Sequence, residues 1–472
     1  MINKKVLVPI YKEISGDLDT PVSAYLKLNH KNSFLLESVT GGEQVSRYSF
    51  IGFDPFCVFC SKDGKTKIKC HGKDSVVDTK NPIDELKALV NNYDLKQVLD
   101  LPFISGAVGF FSWEIINYIE DIPKIDKPGT EFPLAHYLFP GSMVVFDHVK
   151  RKIIIVAISE KGQEIQAKIR VSEIENLLKQ PVRGEALDLS KNDINDVFED
   201  VKSNYTKKDF ESHVGKVKEH IYDGDIFQLV LSQRFTMQSY RDPFDIYRAL
   251  RYINPSPYMY YFNFDDYQIV GASPEILVRL RDNKATLRPI AGTRPRIEGQ
   301  DDVLIEELLN DEKERAEHIM LVDLGRNDLG KVCEYGSVKT TDIMQIEKYS
   351  HVMHMVANVE GELCADKDAF DLFKATFPAG TLSGAPKVKA IEIIEELEPE
   401  GRGPYGGALG YFDFGGNADL CIIIRTILAK NNELMIQAGA GLVADSIPEK
   451  EYEESCSKAR GVVSACLTGR KK

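Results

Sequence analysis

The chain has little that would tie it to a membrane or to nucleic acid. Met1–Glu13 holds no continuous apolar stretch of signal-peptide length. Ile153–Ile158 is an apolar run of six residues, strand-sized and far short of the roughly 20 that a spanning helix needs. Positive charge is in deficit: 59 Lys and Arg face 72 Asp and Glu, a net charge of -13. General binding to nucleic acid or to an anionic membrane needs a basic face, so both are disfavoured. An anionic substrate is still allowed where a few cations converge. Metal-binding spacings are also scarce. Eight cysteines are scattered at 57, 60, 70, 333, 364, 421, 456 and 466. Cys57 and Cys60 form a C-x-x-C, but no fourth Cys or His follows at a zinc-like spacing, since His71 abuts Cys70. They read as reduced thiols in a cytoplasmic protein.

What is present is an ordinary globular composition. The chain has 472 residues, 43% of them hydrophobic and 28% charged, enough for two or three domains or one large composite core. Residues 1–150 are strand-rich, with short segments at Ser33–Leu36, Tyr48–Gly52 and Pro55–Cys60. Met143–Phe146 and Lys152–Ile158 read as a hairpin, and 160–180 as a helix. Pro181–Lys208 is polar and aperiodic, a connection. From Asp209 the pattern changes: Phe210, Val214, Val217 and Ile221 recur at helical spacing, and Phe227–Phe235 reads as a strand. In the last helix, Ser446 and Glu449 fit a capping box with Pro448 in the first turn. Its apolar stripe is Tyr452, Cys456, Ala459, Val463 and Cys466.

Several runs could carry chemistry. P-I-A-G-T at 289–293 ends a strand at Ala285–Arg288 and opens a tight turn. There Gly292 lets a backbone approach a ligand, and Thr293 adds a hydroxyl and an amide. Glu314 and Glu317, in a helix over Asp311–Leu324, share one face; they suit Mg²⁺ or form a solvated acidic surface. Glu451, Glu454 and Lys458 are equally open, since an i,i+4 pair is common on exposed helices. Q-A-G-A-G at 437–441 is an anion nest or an ordinary turn. P-A-G-T-L-S-G-A-P-K at 378–387 offers Thr381 and Ser383, with Lys387 starting a helix. Arg425, ending C-I-I-I-R, is surface-exposed or buried with an anion. His354 lies on a strand with His351, where a structural role is the commoner one, and Glu275 in G-A-S-P-E would by composition be a solvated turn acid.

Taken together, these ordered runs resemble chorismate-utilising enzymes. The resemblance covers the motifs near 35–52 and the stretch from about 205 to 465. Two positions narrow it. Relatives that form aminodeoxychorismate carry a nucleophilic lysine where this chain has Ala291; relatives that add water carry a lysine base where it has Gln228. Neither residue can act in those ways, and the pattern that remains is that of the large subunits of anthranilate synthases. The resemblance implies an α+β fold, with large antiparallel sheets packed face to face and helices outside. It divides the chain into an N-terminal region (1–180), the connection (181–208) and a chorismate-binding domain (209–467).

The resemblance also implies roles. Glu275 is the general acid for loss of the C4 hydroxyl, and His354 assists elimination. Glu317 and Glu454 hold Mg²⁺. Gly292, Thr293, Thr381, Tyr405, Arg425, Gly439, Ala440, Gly441 and Lys458 bind chorismate, Tyr405 and Arg425 at its pyruvyl end. L-L-E-S at 35–38, R-Y-S-F-I-G at 47–52 and N-P-S-P-Y-M at 254–259 match a feedback site for L-tryptophan, with Ser38, Pro257, Tyr258 and Met259 as contacts. The ammonia nucleophile would come from a separate glutamine amidotransferase subunit, because the sequence holds no G-x-C-x-G elbow with a downstream His-x-Glu. The alternatives are the large subunit of an aminodeoxychorismate synthase and a catalytically inactive tryptophan-binding regulator.

Overall fold

The computed structural model describes residues 4–38, 47–123, 127–182, 184–188, 197–296, 299–348 and 352–468, with Thr293, Pro295 and Val352 described by backbone alone. Two long strands set the architecture, Tyr48–Lys62 and Ala135–Asp147. They pair antiparallel from Tyr48 opposite Asp147 to Ser61 opposite Ala135. The sequence suggested two segments, 48–52 and 55–60, where the chain builds one strand. Asp54 takes φ 49°, and the register shifts between Pro55 and Cys57. The interruption is therefore a bulge that bends the strand without ending it.

The bend lets each long strand serve two sheets. In one direction, Tyr48–Lys62 pairs Ser33–Glu37, and that sheet continues through Tyr258–Asn263, Gln268–Ser273, Thr426–Lys430 and Glu433–Leu442 to Gln228–Gln238. In the other, Ala135–Asp147 pairs Gly106–Phe111. This second sheet runs on through Ala408–Asp413, Ala418–Ile422, Ile276–Arg281 and Lys284–Leu287 to Val352–Glu362. Strands from the first 150 residues thus pair directly with strands from beyond residue 250.

Alternation along the strands sorts the core into layers. Phe34, Tyr260 and Phe262 of the first sheet meet Val108, Phe110, Leu409 and Cys421 of the second in one buried cluster between the sheets. Their neighbours Leu35, Met259 and Tyr261 point the other way, onto Tyr25, Tyr247, Leu250 and Val463 of covering helices. The outer face of the second sheet buries Phe111, Leu280 and Phe412 against Leu86, Phe373 and Ile391. The fold is α+β, two antiparallel sheets face to face with helices outside, as expected from the resemblance.

Local expectations fare unevenly. The hairpin forms with Asp147 opposite Lys152, the helix after it spans Glu164–Leu178, and the Phe210 helix spans Lys207–Tyr222. The last helix, Pro448–Leu467, starts without the expected capping box. Ile447 is its N-cap, Ser446 Oγ instead accepts from the Val443 N–H at 3.0 Å, and Glu449 pairs with Lys207. The cysteines also depart from expectation: Cys57 and Cys70 lie opposite each other on adjacent strands and are joined in a disulfide, while Cys60 is free. No helix among the described residues is long and apolar enough to cross a membrane.

One buried ion pair ties the layers together. Arg402 Nη2 donates to Glu398 Oε1 at 2.7 Å, both side chains almost inaccessible to solvent. Arg402 also donates to the carbonyls of Val230 and Leu382, at 2.8 and 2.7 Å, and its guanidinium lies 4.2 Å from the Trp113 ring centre. Glu398 Oε1 accepts from the N–H and Oγ of Ser232. Removing one partner leaves the other charge buried and unpaired, which costs about 3–5 kcal/mol. Glu398→Ala is therefore expected to lower the thermal unfolding midpoint substantially; a midpoint equal to that of the wild type would show that the pair holds nothing.

Candidate active site

Glu275 sits between the strands Gln268–Ser273 and Ile276–Arg281. Its carbonyl accepts from the Ile422 N–H at 3.0 Å, and its Oε1 accepts from Thr381 Oγ1 at 2.7 Å. Burial pushes the carboxyl up to about 7, against the opposing pulls of the Thr381 hydrogen bond and the Lys458 charge. This is the environment of a carboxyl that can hold a proton near neutrality, and not of the solvated turn acid that composition alone would suggest. It borders a cleft also lined by Thr381, Arg288, Gly325 and Asp328.

The P-I-A-G-T run is not a turn. Ile290–Pro295 is a strand paired with Val352–Glu362, and the register shifts between Ala291 and Thr293. Gly292, at φ 65°, is the bulge residue. A Cβ there would lie 2.8 Å from Leu308 Cδ1 and 3.2 Å from Glu314 Oε2, and the positive φ would strain any side chain, so glycine is favoured. Ala291 is buried. The side chain of Thr293 and all of His351 lie outside the described residues. His354 stands opposite Thr293 and hydrogen-bonds to the Gly292 backbone. Burial, with the Arg425 charge, lowers its pKa, which keeps the ring neutral at pH 7.

Q-A-G-A-G is likewise neither a nest nor a turn. Gly439, Ala440 and Gly441 lie within the strand Glu433–Leu442, opposite Ser232, Leu231 and Val230. Consecutive N–H groups of a strand point to opposite sides, so they cannot converge on one anion. The small residues matter through space instead: a Cβ on Gly439 would sit 2.6 Å from the Leu231 carbonyl oxygen, and one on Gly441 would sit 3.1 Å from Gln228 Nε2.

Gln228 is buried and donates through Nε2 to Glu317 Oε1 at 3.3 Å. Glu317 lies on the helix Glu312–Gly330, which Asp311 caps by accepting from the N–H groups of Lys313 and Glu314. Burial, then the neighbouring Glu314, raises the Glu317 pKa. Glu314 itself accepts from Arg294 Nη1 at 3.0 Å. Arg294 is a partner that sequence reasoning missed, for its position in T-R-P carries no signal of its own. From the terminal helix, Glu454 pairs with Lys458 at 2.7 Å. Glu451 is buried with Oε2 unpartnered, and burial raises its pKa too.

The cations close the group. Arg425 takes φ 52° between two strands and donates from Nη1 to the Lys458 carbonyl at 2.8 Å. Burial lowers its pKa against the pull of Tyr405 and Glu454. Among the described residues no carboxylate lies within ion-pair distance of it, so a substrate anion can take that place. Lys458 is felt by Glu275, Glu317 and Glu451 alike. Direct contacts and fields therefore connect Glu275, Thr381, Glu317, Glu454, Lys458, Arg425, Tyr405, His354 and Gly292. Among the described residues no cluster of three or more metal-ligating side chains is drawn together. The other set, Ser38, Pro257, Tyr258 and Met259, lines a separate, larger cavity with Phe50 and Arg279.

The raised acid has a stability signature. Between about 4.5 and about 7 the folded chain keeps a proton on Glu275 that the unfolded chain releases, so folding weakens as pH rises through that window. Glu275→Gln removes this loss. Relative to wild type it should gain stability at pH 8, up to about 3 kcal/mol, and little at pH 4. Denaturant titrations at the two pH values check this, and an equal difference at both would contradict the raised pKa.

The arrangement has close counterparts among known proteins. The family model for chorismate binding enzymes matches residues 31–464. The chain is 46% identical to anthranilate synthase component 1 of Acetivibrio thermocellus, over 97% of this chain and 95% of that protein. It is 43% identical to the protein of that name from Aquifex aeolicus, over 97% and 94%. Among solved structures, anthranilate synthase component I from Streptococcus pneumoniae TIGR4 superposes with a TM-score of 0.81 at 38% identity, covering 95% of this chain and 98% of that one. The menaquinone-specific isochorismate synthase of Escherichia coli shares the fold, with a TM-score of 0.73 at 18% identity over 98% of this chain and 95% of that one. With the family model and these relatives each covering most of its length, the chain belongs to the chorismate binding enzyme family.

Proposed function

We propose that the chain is the large subunit of an anthranilate synthase, converting chorismate and ammonia to anthranilate and pyruvate at the start of tryptophan synthesis. One observation carries the reading: a buried acid at about 7 stands on one side of the site, while the two positions that would supply a lysine hold buried Gln228 and Ala291. An acid for the leaving group without a base or amine for the attack leaves ammonia as the nucleophile.

Arg425 and Tyr405 receive the carboxylate of the enolpyruvyl arm, with Lys458 beside them. Ammonia forms the C2–N bond, the ring double bond shifts, and the C4–O bond breaks. Glu275 gives its proton to that oxygen, which leaves as water. The C2 hydrogen then departs as a proton, the C3–O bond breaks, and the enolpyruvyl group leaves as pyruvate, which makes the ring aromatic. His354, neutral and held by the Gly292 backbone, assists this second step. Glu317 and Glu454, from two helices, would hold Mg²⁺, which offsets the substrate's ring carboxylate when bound. The raised pKa values of Glu317 and Glu451 fit such an ion, because buried carboxylates lacking a cation are the groups it would relieve. Thr381, on Glu275, and Gly439–Gly441, beside Gln228, complete the substrate walls.

A separate glutamine amidotransferase subunit supplies the ammonia, and the chain alone uses ammonium salts. L-Tryptophan is the inhibitor, in the larger cavity beside Ser38 and Tyr258. Its aromatic walls suit an indole, and Tyr258, Asp419 and Arg279 form a polar network there at 2.8 and 2.9 Å. A cytoplasmic location accords with that chemistry.

Chorismate, Mg²⁺ and an ammonium salt should give fluorescent anthranilate without any added lyase, at a rate that tryptophan lowers. A product that becomes aromatic only after a lyase is added would favour the aminodeoxychorismate reading. No turnover together with tight tryptophan binding would favour the regulator.

A further inference from the structure

Thr381 rides on the segment Thr376–Lys387, and one side chain closes both ends of that segment. Lys387 Nζ donates to the Thr376 carbonyl at 3.2 Å and to Asp328 Oδ2 at 2.8 Å. The ion pair is buried, with side-chain exposures of 11% and 6%. Asp328 lies near the end of the helix Glu312–Gly330 and lines the Glu275 cleft together with Thr376 and Thr381.

The rest of the segment is held unevenly. After Thr381, Arg402 grips the Leu382 carbonyl and the Val230 N–H donates to the Ser383 carbonyl at 2.9 Å. Before it, Gly380 packs directly onto Leu324, too close for any Cβ. On that side the Ala379 carbonyl accepts from the Leu382 and Ser383 N–H groups and from Ser383 Oγ, which shapes the turn, and the Lys387 clamp ties its start at Thr376 to Asp328 on the neighbouring helix. An ammonium is suited to this role: its three donors can take two acceptors that lie in different directions. Two well-packed apolar residues could replace the whole Lys387–Asp328 pair without burying charge, so the pair is evidence for a geometric task more than for stability.

We propose that Lys387, acting through Asp328 and Thr376, is a positioning residue that sets the Thr381 hydroxyl against Glu275 and so fixes where that acid delivers its proton. The inference rests on Glu275 acting as the acid. Misplacement of a reacting group by about 1 Å can cost about 100-fold in rate, whereas substrate affinity draws mainly on other contacts, at Arg425, Tyr405 and Lys458.

The test is a double-mutant cycle on the purified chain, with anthranilate formation from chorismate and ammonium as readout. Lys387→Met should lower kcat about tenfold with KM for chorismate changed less than about twofold. Combined with Thr381→Val it should be little slower than the slower single variant, because both remove one interaction. If Lys387→Met does not fold, Asp328→Asn takes its place with the same expectation. Independent, multiplying losses overturn the inference while leaving the acid reading intact, as does a wild-type kcat in a folded variant. Glu275→Gln with wild-type kcat overturns both.

Discussion

The buried Arg402–Glu398 pair is the constraint on which most of the site depends. It does not recommend itself as a source of stability, since two well-packed apolar residues could do as well. Its value lies in what it fixes. One guanidinium reaches Val230 on the strand that begins at Gln228, Leu382 next to Thr381, and the ring of Trp113; Tyr405 lies 5.6 Å away. Glu398 holds Ser232 from the other side. The strand of Gln228, the segment of Thr381 and the ring of Tyr405 are all referenced to the same two side chains.

Around that anchor the site is built from charges held under penalty. Glu275, Glu317 and Glu451 are all pushed toward protonation by burial, and Arg425 toward neutrality. A chain of net charge -13 can in this way present a small region whose unmet needs are a substrate anion and a cation. The strand Ile276–Arg281 begins at the acid and ends in the wall of the larger cavity, and its partner Ala418–Ile422 does the same through Ile422 and Asp419. The two cavities therefore share a two-stranded wall.

Much of this was legible in the sequence, and the failures are instructive. The α+β fold and the family were readable from the ordered motifs, whereas Glu317 and Arg425 were open between surface and site until the fold showed Glu317 on Gln228 and Arg425 buried beside Lys458. Glycine-rich runs were misread, because P-I-A-G-T and Q-A-G-A-G looked like turns, whereas both are strands whose glycines make room for Leu308, Leu231 and Gln228. Small residues announce close approach, but not whether the chain turns or passes straight through. The Ser446 cap failed because another amide, that of Val443, claimed the hydroxyl. Asp328 gave no local signal, for Lys387 lies 59 residues away; Glu398 and Arg402 are four residues apart, but nothing in the sequence says that the pair is buried or that it reaches Val230, 172 residues back.

The most direct measurement is the pH dependence of kcat for anthranilate formation, at saturating chorismate and constant free ammonia. Glu275 must carry its proton to release the C4 hydroxyl, so kcat should fall as pH rises through about 7, and Glu275→Gln should be slow at every pH. A wild-type kcat that stays flat or climbs from pH 6 to 9 would contradict the assignment of this buried carboxyl as the acid.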